Sequence, residues 1–142
     1  MEITAREFLG EAYRIDIRIR SKIELLDYLN DLSTKCTATF SDMPRNPNRG
    51  NSRLEDTVVK IIDLERQIDD EIDRLVDVKR KIIEVISLVP NYEQQTLLEL
   101  RYLNFKTWEQ IAVAMNYGID NIYKLHRKAL KAADDILYSI LQ

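Results

Sequence analysis

The stretch RLEDTVVKIIDLERQIDDEIDRLVDVKRKIIEVISLV, residues 53–89, decides the fold. Its apolar residues Leu54, Val58, Ile61, Leu64, Ile68, Ile72, Leu75, Val78, Ile82 and Ile86 make nine steps over 32 residues. That is about 3.6 residues per step, the period of an α-helix. No Gly or Pro interrupts the pattern before Pro90. At a rise of about 1.5 Å per residue, the helix would be on the order of 50 Å long, beyond the diameter of a small globule. It therefore needs a second long element to lie against.

The residues upstream supply one. From Thr4, the apolar positions Phe8, Ala12, Ile15, Ile19, Ile23, Leu26 and Leu29 step by three or four, which predicts a first helix from about Thr4 to Leu32. Ser33 to Thr39 is rich in Ser and Thr, which compete for backbone hydrogen bonds, so fraying is expected there. Residues 41–52 hold Pro44, Pro47, Gly50 and three Asn without periodicity, and are read as a flexible linker. The expected architecture is all-α: a long antiparallel helical hairpin from residues 1–40 and 53–89, then a separate C-terminal domain over 90–142. Leu9, Ile17, Leu25, Val59, Ile62, Val76 and Ile83 flank the two stripes. They are more than one partner helix can cover and point to a homo-oligomer, with a dimer favoured.

Composition supports the class and narrows the function. The chain has 142 residues with only 3 Gly and 3 Pro, too few for the tight turns of a sandwich or barrel. One cysteine, Cys36, and one histidine, His126, exclude a disulfide framework and a structural zinc site. This usage suggests a reducing, cytoplasmic compartment. No apolar run approaches the roughly 20 residues of a membrane span, and Met1 to Arg6 lacks the pattern of a signal peptide. With no glycine-rich phosphate loop, nucleophile elbow or His-based dyad, neither catalysis nor a cofactor is expected. The acidic cluster Asp63, Glu65, Asp69, Asp70, Glu71, Asp73 and Asp77 lacks the glycine of a calcium loop. Asp70 to Arg74 and Asp77 to Lys81 stand at helical ion-pair spacing, so the cluster reads as a solvated face.

After Pro90 the pattern shortens. Helices are predicted at Tyr92–Leu103, Trp108–Met115 and from about Ile119 onward. Thr107 with Gln110 three residues on forms a capping box, and Asn116-Tyr117-Gly118 makes the turn between the last two helices. Ile111, Met115, Tyr117, Ile122 and Leu125 supply apolar residues where those helices meet, with Ala112 small enough to let them cross closely. On a wheel, Ile122, Leu125, Ala129, Ala133, Ile136 and Ile140 share one arc of the last helix. Asp120, Lys124, Arg127 and Lys131 fall opposite, with Lys128 beside them. His126 lies toward the core side and Trp108 on the first turn of its helix, and both are read as packing or hydrogen-bonding residues.

A short helix, a three-residue turn and a longer helix give the outline of a helix-turn-helix. Charge counted by segment strengthens that reading: residues 101–131 hold six basic and two acidic side chains, so a unit of +4 sits inside a chain of −3. Clustered Lys and Arg on the outer face of such a helix suit a phosphate-lined groove. The alternative for the same patch is a solvated helix face.

Glu99-Leu100-Arg101-Tyr102-Leu103, Thr107-Trp108-Glu109-Gln110-Ile111-Ala112 and Ile122-Tyr123-Lys124-Leu125-His126-Arg127-Lys128-Ala129-Leu130 together resemble sigma factor region four. In particular they resemble the small phage and prophage proteins that carry such a motif behind a long helical region, akin to ArpU/RinA-type late transcription regulators. Asp42-Met43-Pro44-Arg45 and Ile61-Ile62-Asp63-Leu64-Glu65 are similar to the same group. The resemblance implies a sequence-specific transcriptional regulator acting on double-stranded DNA in the cytoplasm of a bacterial host. Base-reading positions would fall on Asp120, Asn121, Tyr123 and Lys124, beside Ile119, and phosphate contacts on Lys106, Thr107, Arg127, Lys128 and Lys131. Sigma factors often carry Arg where Ile119 and Asn121 stand, and a Ser or Thr cap where Gly118 stands, so the sigma promoter element is not the expected target. Two other readings stay open: a small-terminase-like DNA-packaging subunit, and a module that contacts RNA polymerase instead of DNA.

Overall fold

The computed structural model describes the backbone of residues 3–42 and 47–141 and the side chains of 3–35 and 52–141. Among these residues the fold is all-α. The helices are α1 (Ala5–Asp42), α2 (Pro47–Ser87), α3 (Tyr92–Leu98), α4 (Trp108–Met115) and α5 (Ile119–Leu141), with α3 running into a π-helical turn at Glu99–Leu103.

Both long helices exceed their predicted lengths. α1 continues through the Ser/Thr run to Asp42. The Thr34 hydroxyl donates to the Asn30 carbonyl at 3.0 Å, so it is satisfied within the helix and does not unwind it. α2 starts at Pro47 rather than Arg53. Proline is well placed at a first helical position, where an N–H would have no intrahelical partner. Residues 41, 42 and 47–52 of the expected linker are therefore helical. Residues 43–46, which include Met43, Pro44 and Arg45 of the phage-like stretch, lie outside the described residues, as does the side chain of Cys36.

The chain divides into two compact units, one formed by residues 16–74 and the other by 1–15 with 75–142. In the first, α1 and α2 pair antiparallel. Arg18 reaches Glu71 at 3.1 Å and Lys22 donates to Gln67 at 2.9 Å, so four residues forward on one helix match four residues back on the other. Ile19, Leu64 and Ile68 are buried along this seam. Ile17, Leu25, Val59 and Ile62 are exposed, as the flanking pattern predicts, and so are Ile23, Val58 and Ile72 of the expected stripes.

The second unit holds the larger core: Ala5, Leu9, Ala12 and Ile15 of α1, Val78, Ile82, Val85 and Ile86 of α2, Leu97 and Leu98 of α3, Ile111 of α4 and Ile122 of α5. Leu9 thus belongs to the core and not to the surplus face. Val76 and Ile83, by contrast, are exposed. The buried stripe of α5 also differs from the wheel: Ile122, His126, Ala129, Ala133 and Leu137 are buried, Leu125 and Ile136 are half-buried, and Ile140 is exposed. The arc is rotated toward His126 because Tyr102 meets the imidazole there, removing the cost of burying its polar nitrogen.

The predicted helix Tyr92–Leu103 is present, but its last turn, Glu99–Leu103, is π-helical. Its wider loop is closed by Asn104 N–H donating to the Glu99 carbonyl and Lys106 N–H to Leu100, both at 3.0 Å. Phe105 then takes a left-handed backbone at φ 56°, which costs a bulky residue about 1–3 kcal/mol and persists only where neighbours enforce it. Its ring meets Tyr13 edge-on at 5.6 Å and lies under Lys79 Nζ at 4.8 Å.

Candidate nucleic-acid interface

α4 begins with the predicted capping box. Gln110 N–H donates to the Thr107 hydroxyl at 3.2 Å, and Thr107 N–H donates to the Gln110 side chain at 2.9 Å. The helix ends at Asn116, whose φ of 58° and ψ of 44° place it in the left-handed region that asparagine tolerates better than most residues. Tyr117 N–H then closes on the Ala112 carbonyl at 3.0 Å, and α5 opens with Ile122 N–H on the Gly118 carbonyl at 3.1 Å. Tyr117 does not pack between the helices; it is at the surface, and a hydrogen bond with Glu93 raises its phenol pKa above the usual value.

With Ile122 and Ala129 buried, the opposite face of α5 turns outward. At about 100° per residue, Asp120, Lys124, Arg127 and Lys131 lie within an arc of about 60° on that face, and all four are exposed. Asn121 and Lys128 are exposed on one side of the arc, Tyr123 on the other, and Lys106 and Thr107 are exposed before α4. Asn121, Lys124 and Lys128 border a shallow depression of about 200 Å³ with Glu93 and Tyr117.

Tyr123 and Arg127 border a larger cavity of about 580 Å³, which sequence reasoning missed. Arg6 and Arg14 of α1 and Arg101 of the π-helical turn complete its basic lining. The Arg101 guanidinium lies 4.4 Å over the Trp108 ring and donates to the Lys106 carbonyl at 2.9 Å. Trp108 meets His126 edge-on at 4.5 Å and Tyr123 at 5.6 Å, the packing role expected of it. The Tyr102 hydroxyl lies 2.6 Å from His126 Nε2. The two share one buried hydrogen bond, whose donor follows from the imidazole tautomer. Burial raises the Tyr102 pKa above the usual phenol value. Burial first, then the charges of Arg6, Arg101 and Arg127, lower His126 to about 4. The one signal that could have exposed the cavity was the spacing of Arg6, Gly10 and Arg14 on one side of α1.

The acidic face of α2 is solvated as expected, with different partners. Glu71 pairs with Arg18 across the helices, and Asp77 with Arg80 at 3.9 Å rather than with Lys81. Among the described residues, no group of three His, Cys, Asp or Glu is placed to hold a metal ion, and no helix is long and apolar enough to cross a membrane. No protein-family model, curated protein or solved structure matches the chain.

Proposed function

We propose that this protein is a sequence-specific DNA-binding transcriptional regulator of phage or prophage type, with the segment Ile119–Lys131 of α5 entering a major groove. One observation carries the reading. The basic arc of α5 stands opposite a stripe buried at Ile122, Ala129 and Ala133, on a helix that follows a three-residue turn from a short capped helix. In this arrangement the packing is complete on one side and cations are free on the other, as a groove-reading helix requires.

Lys124 donates to guanine and Asp120 accepts from a cytosine amino group, with Asn121 and Tyr123 beside them. Arg127, Lys128, Lys131, Lys106 and Thr107 hold the phosphates and set the register. Two copies join through the apolar residues left exposed on the long helices, so that paired half-sites are read together. Selection of bound duplexes from a random library, followed by fluorescence anisotropy, tests the reading. The K124A/R127A double variant should lose the selected duplex while keeping its helicity and oligomeric state, and Arg127→Ala alone should reduce the slope of log K against log salt by about 1. No enriched duplex, or unchanged affinity in the double variant, would overturn it. A dimer in light scattering supports a regulator, whereas a ring of many subunits favours a packaging role.

A further inference from the structure

The cavity beside α5 is lined by four arginines from three places in the chain: Arg6 and Arg14 from α1, Arg101 from the π-helical turn and Arg127 from α5. None of them takes part in the ion pairs that join Arg18 to Glu71, Arg20 to Asp16 and Arg80 to Asp77. The charges acting on His126 at the cavity wall are likewise three guanidinium groups and no carboxylate. Like charges gathered together repel one another, and an anion in the cavity relieves that repulsion.

Two of the heads are already oriented. Arg101 is fixed by its carbonyl bond and by the Trp108 ring. Arg14 folds back along α1 to donate to the Glu7 carbonyl at 2.9 Å. Gly10 makes room for it, since a Cβ there would stand 3.2 Å from Arg14 Nη1. A mid-helix glycine costs about 1 kcal/mol against alanine, and the space it opens for Arg14 is its visible return. Aromatic faces complete the wall: Tyr13 and Tyr123 remain 48% and 39% exposed beside the guanidinium groups. The volume of about 580 Å³ falls within the roughly 300–1,000 Å³ of small-molecule sites. A duplex backbone, which is a convex rod, suits the outer arc of α5 better than this hollow.

We propose that this cavity binds a nucleotide carrying two or more phosphates, the phosphates held by Arg6, Arg14, Arg101 and Arg127 and the base lying against Tyr13 and Tyr123. Because Arg127 also belongs to the DNA-contacting arc, an occupied cavity withdraws it from DNA, so the nucleotide acts as a release signal. That second step rests on the proposed function; nucleotide binding itself does not.

The chain has a single tryptophan, Trp108, in the cavity wall, so its emission reports the site directly in the full-length protein. ADP and GDP should give a saturable change, pyrophosphate should bind about tenfold more weakly, and adenosine alone should give none at the same concentrations. Arg6→Ala and Arg14→Gln, both exposed positions checked first by circular dichroism, should each weaken ADP about tenfold. Gly10→Ala should raise the thermal midpoint and weaken ADP less than either arginine variant, since Arg14 Nη1 then gives way by a few tenths of an ångström. No saturable response to either nucleotide, or full ADP affinity in the R6A/R14Q double variant, overturns the proposal. Equal binding of pyrophosphate and ADP overturns the assignment of the base. Loss of duplex binding in Arg6→Ala without any nucleotide response assigns the cavity to the DNA backbone and also overturns it. The emission titration contains no DNA, so its outcome is independent of the DNA reading. The release step is read separately, as ADP lowering duplex affinity in the wild type and failing to do so in Arg6→Ala.

Discussion

The α3–α5 region and the 16–74 segment of the long helices differ in how completely they bury their apolar residues. In the first, Leu97, Leu98, Ile111, Ile122, Ala129 and Ala133 are fully buried, and what faces outward along the start of α5 is mostly charge. In the second, Ile19, Leu64 and Ile68 are buried, while Ile17, Leu25, Val59, Ile62 and Ile72 are at least 42% exposed. Apolar area left in water forgoes roughly 25 cal/mol per Å², and long helices depend on tertiary packing more than on intrinsic propensity. The difference teaches that the free chemistry of the two regions is not the same. The short helices bury the apolar side chains at their centre, leave Val113, Ile140 and Leu141 exposed towards their ends, and offer cations on the outer face of α5, whereas the long helices keep exposed apolar residues along their middle. A charged polymer suits the first, and a second copy of the same helices suits the second.

The sharpest way to break that contrast is to cut an isoleucine in each region. Ile122→Ala removes a fully buried side chain and should cost about 2–5 kcal/mol in urea unfolding, through lost transfer energy and the cavity left behind. Ile62→Ala removes a side chain that is 54% exposed. At low protein concentration it should change stability by no more than about 0.5 kcal/mol, while sedimentation velocity shows weakened self-association. An equal cost for both variants under dilute conditions would mean that the two regions are packed alike.

His126 gives the next largest effect, and it belongs to the short-helix region alone. Its pKa in the folded chain is about 4, against about 6.5 when unfolded. Between those values the unfolded chain binds the extra proton, so stability is complete above about pH 6.5 and falls as the pH drops toward 4. The loss approaches about 1.4 kcal/mol per pH unit within that window. Unfolding followed from pH 7.5 to 4 should show this slope, and His126→Gln should flatten it. A wild-type profile without slope in that window would mean that His126 is not held neutral by its burial and by the three arginines.

What could be read in advance followed the same division. The limits of α4 and α5 were legible because they rest on local chemistry: Thr107 with Gln110, the left-handed Asn116, and an unbroken helical period after Gly118. The ends of α1 and α2 were not, because the Ser/Thr run and Pro47 fit helix once their particular positions are known, Thr34 bonding back to Asn30 and Pro47 occupying the first turn. The π-helical turn adds a single residue, too little to disturb a period read over twelve positions. The exposed cations of α5 were legible as one helical arc. The cavity was not, because Arg6 and Arg14 sit in a segment, residues 1–52, whose eight basic and eight acidic side chains cancel. Arg101 and Arg127 join them only through folding, from 87 or more positions away in the chain.

The smallest effect sharpens the comparison by making one substitution change sign between regions. Thr107 and Thr57 each use their hydroxyl, for different ends. At the start of α4, Thr107 accepts from Gln110 N–H, a backbone group with no intrahelical partner, so Thr107→Ala should cost about 1 kcal/mol. Within α2, the Thr57 hydroxyl donates to the Arg53 carbonyl at 2.8 Å, a carbonyl that already serves the helix. Alanine there gives up little and gains helix propensity, so Thr57→Ala should be neutral or stabilising by up to about 0.7 kcal/mol. Thermal unfolding of the two variants side by side tests this. Destabilisation by both would show that the hydroxyl in α2 closes a packing contact and is not merely satisfied along the helix.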